Sequence, residues 1–262
     1  MSLRRPFVFS LMLLVLPWCG LVFAGEQKPI PLFLQETLDR HGHQLPVEKN
    51  LERLLHYFER ESGLRFERKL LPWNRAQLLA KNGEGIIYGF SRSPQRLIDY
   101  QFSLPVVTER IWAITYGEPK PNFRSAEDLK GRTVSIGRGF SHGMEFEQSK
   151  NVLFTVQEDS AQAPARFKKL VVKHSEVMLW PVRELERSAQ VERYIQEKLL
   201  PSFHDPELTG KIFNVSSQPM FYDTVHFASV KGKYADEIKK IDEVIKRGTK
   251  NGRLAKVLYR YY

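Results

Sequence analysis

The chain has 262 residues, 42% hydrophobic and 27% charged, with a formal charge of +10 and a single cysteine. That length can bury one large domain or two smaller lobes, and one cysteine excludes a disulfide framework. The basic balance reads as solubility and weak attraction to anionic surfaces. No aromatic-basic motif points to nucleic acid.

The first 24 residues read as a cleaved signal peptide. Arg4 and Arg5 form a charged start, 7–16 is an apolar stretch, and Val22-Phe23-Ala24 supplies small residues before Gly25. Pro17 and Gly20 interrupt the apolar stretch, which is short for a membrane span, and no later segment approaches that length. Trp18 before Cys19 does not suit lipidation. The exported chain, with a charge of +8 once Arg4 and Arg5 leave, is expected in the periplasm without cysteine, disulfide or thiol chemistry.

In chain order, 29–34 reads as a strand and 35–45 as a polar loop. Leu51, Leu54, Leu55 and Phe58 recur at helical spacing and predict a helix over 47–62 closed by Gly63. A strand over 64–70, a short helix over 74–81 and a strand ending at Tyr88 follow. Next come Gly89-Phe90-Ser91, then Ser93 as a helix cap, Pro94 at the first helical position and Arg96 in the first turn. A strand end that brings hydroxyls, free backbone N–H groups and an arginine together is a corner suited to a carboxylate. A solvated helix arginine is the plainer alternative.

A long extended run over 105–115 follows, then a capped helix start at 125–129. The strand 133–136 runs into a glycine turn, 137–143, and a helix near Met144. A helix carrying Phe167, Leu170 and Val171 precedes a strand over 177–180, a helix over 182–200 and a loop over 201–218. A second extended run covers 225–230. The chain closes with an amphipathic helix carrying Ile238, Ile241, Val244 and Ile245, and a last short helix after Asn251-Gly252. Such strand–helix alternation predicts an α/β fold with a parallel sheet.

Three motifs in this order resemble extracytoplasmic solute-binding proteins of family 3, the polar amino-acid receptors of ABC importers. The first is Ser91-Arg92-Ser93-Pro94-Gln95-Arg96 with Tyr100-Gln101-Phe102-Ser103-Leu104-Pro105. The second is Asp128-Leu129-Lys130-Gly131-Arg132-Thr133-Val134-Ser135-Ile136 with Gly139. The third is Asn251-Gly252-Arg253-Leu254-Ala255-Lys256-Val257-Leu258 with Tyr261. The resemblance spans about 30–262 and implies a type II periplasmic-binding fold: two lobes, 25–109 with 224–262 and 110–223, joined by two crossover hinge strands. A small solute would sit in the cleft between them.

The resemblance places the carboxylate-binding arginine on Arg96, its hydroxyl partner on Ser91 and cleft-facing backbone on Gly89. Phe140 and Ser141 fall in the second-lobe turn that closes on the same carboxylate, though Gly139 and Gly143 also simply permit a tight turn. Trp73 falls where an apolar wall stands, with core packing as the competing role, and Glu36 lies in the first-strand loop at a usual ligand edge. Pro181 falls where an amine-holding aspartate is usual, so an α-amino acid would need Glu36, Glu184 or Asp223 instead. The implied partners are a small carboxylate-bearing ligand and, transiently, an importer permease, with the protein itself expected to be a monomer and not an enzyme.

No metal or cofactor is expected. His41-Gly42-His43 lacks a third ligand, and His142 reads as a cleft-edge or structural histidine rather than a base. The alternatives are a dehydratase-like enzyme on the same scaffold and a ligand-sensing module for a membrane sensor.

Overall fold

The computed structural model describes residues 28–258 apart from 40, 118–120 and 161, so the leader at 1–24 with Cys19 and the motif residue Tyr261 lie outside the described residues. Among the described residues no helix is long and apolar enough to cross a membrane.

The first wing of the molecule is built from β1 (Ile30–Gln35), α1 (Lys49–Ser62), β2 (Phe66–Leu71), α2 (Trp73–Lys81), β3 (Ile86–Ser91), α3 (Pro94–Asp99) and β4 (Tyr100–Phe102). Local chemistry sets the helix ends. The Glu48 carboxylate accepts from the N–H groups of Asn50 and Leu51, and Gly63, at φ 73°, donates its own N–H to the Glu59 carbonyl. Ser93 caps α3 by accepting from the Arg96 N–H at 3.2 Å, with Pro94 just inside.

The long strand β5 (Val107–Tyr116) leads out of this wing. The second wing follows: a 3-10 turn at Ala126–Leu129, then β6 (Thr133–Gly137), α4 (Gly143–Ser149), β7 (Thr155–Asp159), α5 (Ala163–Val171), β8 (Val177–Val182) and α6 (Ser188–Tyr194). A π-helical stretch, Ile195–Leu199, joins α6 to α7 (Leu200–Ser202). After β9 (Phe213–Val215), β10 (Phe221–Val230) returns to the first wing, where α8 (Ala235–Lys250) and α9 (Arg253–Leu258) complete it.

One sheet runs through both wings in the order β2-β1-β3-β10-β5-β8-β6-β7, with β4 on β10 and β9 on β5. The outer pairs are parallel, β1 with β2 and β3 and β6 with β7 and β8. The central pairs are antiparallel. Each of the two central ten-residue strands feeds both cores. Val107 and Val225 pack with α1 and α8 on the first side, while Ile111 and Phe221 pack with Val134, Phe146 and Val177 on the second. The pair Val107–Ile111 and Phe221–Val225 is thus the bridge between two separately packed hydrophobic cores, the arrangement from which lobes hinge.

Two expectations shift. The helix predicted over 182–200 begins at Ser188, because Trp180, Pro181 and Val182 still pair with Trp112, Ile111 and Arg110 of β5; proline also biases the residue before it away from helix. The second long strand begins at Phe221 rather than at 225, so Asp223 lies within it. The segment Thr155–Asp159 adds a further edge strand, on β6.

Candidate functional site

Where β3 ends, the strand carries an extra residue. Tyr88 pairs with Phe227 and Phe90 with His226, leaving Gly89 unmatched at φ 88°, a β-bulge at the margin of the sheet. A Cβ here would lie 3.9 Å from the Trp73 ring, so it is the left-handed backbone rather than crowding that calls for glycine. The bulge turns Gly89 and Ser91 toward the second wing.

Arg96, one turn into α3, reaches across. Its Nη1 donates to the Ser91 carbonyl at 2.9 Å, and its Nη2 donates to Gln77 Oε1 at 3.1 Å and to the Gly139 carbonyl of the second wing at 2.9 Å. The guanidinium lies 3.9 Å from the Phe90 ring centre, a cation–π contact. Burial lowers its pKa to about 10, against the pull of Glu147 and Asp223, so it stays charged at neutral pH. Among the described residues its Nε–H and second Nη1–H have no protein acceptor.

The matching turn of the second wing follows β6. Gly139 has φ 73°, and a Cβ on it would collide with Asn74 and Gln77 of α2, so the wings touch closely here. Gln77 Nε2 also donates to the Gly139 carbonyl at 3.2 Å, and the Ser91 hydroxyl donates to the Ser141 carbonyl at 3.2 Å. Trp73, nearly buried as the first residue of α2, meets Phe90 and Phe140 edge to face with centroids 6.0 and 6.4 Å away. The aromatic wall and core-packing roles of Trp73 are therefore the same contact.

Between the turns lies a cavity of about 240 Å³. Of the residues singled out in the sequence, Trp73, Gly89, Ser91, Arg96, Phe140 and Ser141 line it. Glu36 does not line it: its carboxylate accepts from Gln44 Nε2 at 3.1 Å and its N–H donates to the Leu71 carbonyl. The loop after β1 folds back on β2, and Gln35 rather than Glu36 faces the cavity. Pro181 does line the wall, opposite Ile111 in the β5–β8 register.

Other wall residues are less visible in the sequence. Tyr88 lies under an apolar strand pattern, and among the described residues its buried hydroxyl has no hydrogen-bond partner. The same holds for Ser141 Oγ and for His142 Nε2. His142 is 2% exposed, and burial, together with the Arg166 and Arg96 charges, lowers its pKa to about 3, so the ring is neutral. Buried polar groups seldom lack partners, and three such residues around one cavity, one from the first wing and two from the second, give a small polar molecule something to bond.

Glu109 and Arg183 complete the rim as a cross-strand pair, Arg183 Nε donating to Glu109 Oε1 at 2.7 Å. Burial opposes the Arg183 charge, but Glu109 and Tyr88 overcome that and hold its pKa above the usual arginine value. Asp223, behind Ser91, accepts from the Thr224 N–H at 2.7 Å while its Oδ2 has no partner. Burial raises its pKa to about 7 against the contacts from Ser91 and Thr224. A second chamber of about 460 Å³ shares Leu51, Glu109, Pro181 and Arg183 with the first and opens past Glu48, Glu184 and Tyr194.

No family model matches the chain, and no curated protein matches it. Solved structures do match, at low identity. A mutant of ArgBP from T. maritima is similar over 88% of this chain and 94% of its own, at 15% identity and TM-score 0.63. The GluR0 ligand-binding core in complex with L-glutamate is similar over 90% and 99%, at 16% identity and TM-score 0.65. The amino acid ABC transporter substrate-binding protein AbpA from Streptococcus pneumoniae, bound to L-arginine, is similar over 88% and 93%, at 13% identity and TM-score 0.62. These likenesses establish the fold, an α/β two-lobe periplasmic-binding architecture.

Proposed function

We propose that this protein is a periplasmic solute-binding protein that captures a small carboxylate-bearing molecule between its lobes and delivers it to the permease of an ABC importer. The first lobe would comprise 25–109 with 224–262 and the second 110–223, hinged on the crossing of β5 and β10. The observation that carries the reading is the 240 Å³ cavity, lined from both wings by Arg96, Tyr88, Ser141 and His142, the last three each carrying a buried polar atom without a hydrogen-bond partner among the described residues. A guanidinium fork pairs bidentately with a carboxylate, and Arg96 keeps N–H groups without a protein acceptor among the described residues. The binding proteins of similar fold add support, since each is named for an amino-acid ligand or shown holding one.

Nothing in the arrangement requires a chemical step. His142 is neutral and edge-on to Phe140 and Phe146, with centroids 6.5 and 5.3 Å away. That packing suits a hydrogen-bonding wall more than a titrating base.

The test is a thermal-shift screen of the purified protein against amino acids, hydroxy and oxo acids, polyamines and neutral sugars. A carboxylate at about 100 times its Kd should stabilise the protein by roughly 2.7 kcal/mol. If every stabilising compound lacks a carboxylate, the reading is wrong.

A further inference from the structure

The charged groups on the wall of the inner chamber are Arg96, Arg183 and Glu109. Glu109 Oε1 already takes the Nε–H of Arg183, and both Nη groups of Arg183 are without protein acceptors among the described residues. Two guanidiniums against one carboxylate leave the wall one positive charge in excess. The remaining polar wall groups, Tyr88, Ser141 and His142, are neutral hydrogen-bonding partners. Asp223, the nearest buried acid, is not on the wall; it stands behind Ser91 and Gly143, 3.0 Å from where a Cβ of Gly143 would lie. Pro181, at the wall, has neither a negative charge nor a side-chain acceptor to offer an ammonium.

Resting on the solute-binding reading above, we infer that the ligand is a small carboxylate monoanion without an ammonium group, such as a 2-hydroxy or 2-oxo acid. Its carboxylate sits between Arg96 and Arg183, and its neutral oxygen bonds Tyr88, Ser141 or His142. A monoanion cancels the surplus charge of the wall. A zwitterion would leave that surplus in place, and the only carboxylate its ammonium would meet on the wall is Glu109, which already holds Arg183, so the two cations would compete for one anion at a desolvation cost. The mouth beyond, past Glu48 and Glu184, disfavours a second carboxylate reaching outward, as in a long dicarboxylate.

Isothermal titration with matched pairs tests this: L-lactate against L-alanine, 2-oxoisovalerate against L-valine, phenylpyruvate against L-phenylalanine, with 5-aminovalerate against pentanoate to probe a distant ammonium. The expected result is at least one 2-hydroxy or 2-oxo acid binding tenfold or more tighter than its amino counterpart. Equal or tighter binding of the amino acids, or of 5-aminovalerate over pentanoate, overturns the inference. If that binding still depends on Arg96, the solute-binding reading stands. If nothing carrying a carboxylate binds, both fall.

A second arm uses Arg183→Gln, which leaves Arg96 and Glu109 in balance. The acid-over-amino preference should fall at least tenfold in this variant and rise in Glu109→Gln. An unchanged preference in both folded variants overturns the charge argument.

Discussion

Each wing holds an arginine that pairs with no carboxylate among the described residues, Arg166 fully buried and Arg96 half-buried, and the two differ in what surrounds them. Arg166, on α5 in the second wing, is 1% exposed; it donates to the carbonyls of Ser135 at 3.1 Å and Leu179 at 2.8 Å and lies 5.8 Å from the Trp180 ring centre. Burial lowers its pKa to about 10, with only Asp159 pulling the other way. It lines neither chamber of the cleft. Arg96 also bonds carbonyls, but its guanidinium faces a cavity.

Their neighbouring acids diverge in the same way. Asp159 is bound by the Ser135 hydroxyl at 2.6 Å and by Lys169, whereas Asp223 has a bare Oδ2. Burial and a missing counter-charge therefore do not mark a site by themselves. Unspent donors facing open space do.

Breaking the first member of the comparison should give the largest effect. Arg166→Ala removes a buried side chain and strands two carbonyls, and should cost on the order of 3 kcal/mol or more, read from the urea midpoint. Ligand affinity in the fraction that remains folded should hold. A loss under about 1 kcal/mol would mean that the second core tolerates those carbonyls unbonded.

Arg96→Gln is the reverse case. Three modest hydrogen bonds are lost to a partly competent replacement, so the melting temperature should drop by only a few degrees. Carboxylate affinity should fall about 100-fold, near 2.7 kcal/mol, as the charge-assisted contact goes. Calorimetric titration beside a melting curve separates the two.

The acids supply the smallest and most pH-dependent contrast. An acid whose pKa rises from 3.8 to about 7 on folding favours the native state below pH 4 and loses that contribution as pH climbs through 7. His142 and His226, lowered to about 3 and about 4, act oppositely: their neutral native forms favour folding above about 6.5 and lose that contribution as pH falls. Asp223→Asn removes only the first effect. Its stability relative to the parent should be near zero at pH 4 and favourable by about 1 kcal/mol or more at pH 8. A flat difference across that range would show that Asp223 is ionised throughout.

The sequence carries much of this fold because its elements are locally marked. Leu54, Leu55 and Phe58 announce the buried face of α1, Gly63 its end, and Ser93-Pro94 the start of α3. The Arg96 corner was legible for the same reason. Glu109 and Arg183 were not: they lie 74 positions apart in the chain, and only the register of β5 against β8 makes them neighbours. Tyr88 reads as one more core aromatic, and its orphaned hydroxyl emerges only once the opposite wing is in place. The misplaced start of α6 has the same origin, since β5 holds 180–182 extended where local pattern favours helix.

The Arg96–Gly139 hydrogen bond also has a kinetic side. If a solute enters by parting the wings at this turn, the contacts of Gly139 with Arg96 and Gln77, and that of Ser91 with Ser141, come apart first. Observed capture should then stop accelerating with concentration and level off at the rate of that opening, as stopped-flow fluorescence from Trp73 can register. Measured Kd would exceed the intrinsic one by the inverse of the open fraction. A substitution that loosens the Gly139 turn would raise the speed of capture without adding a single contact to the solute.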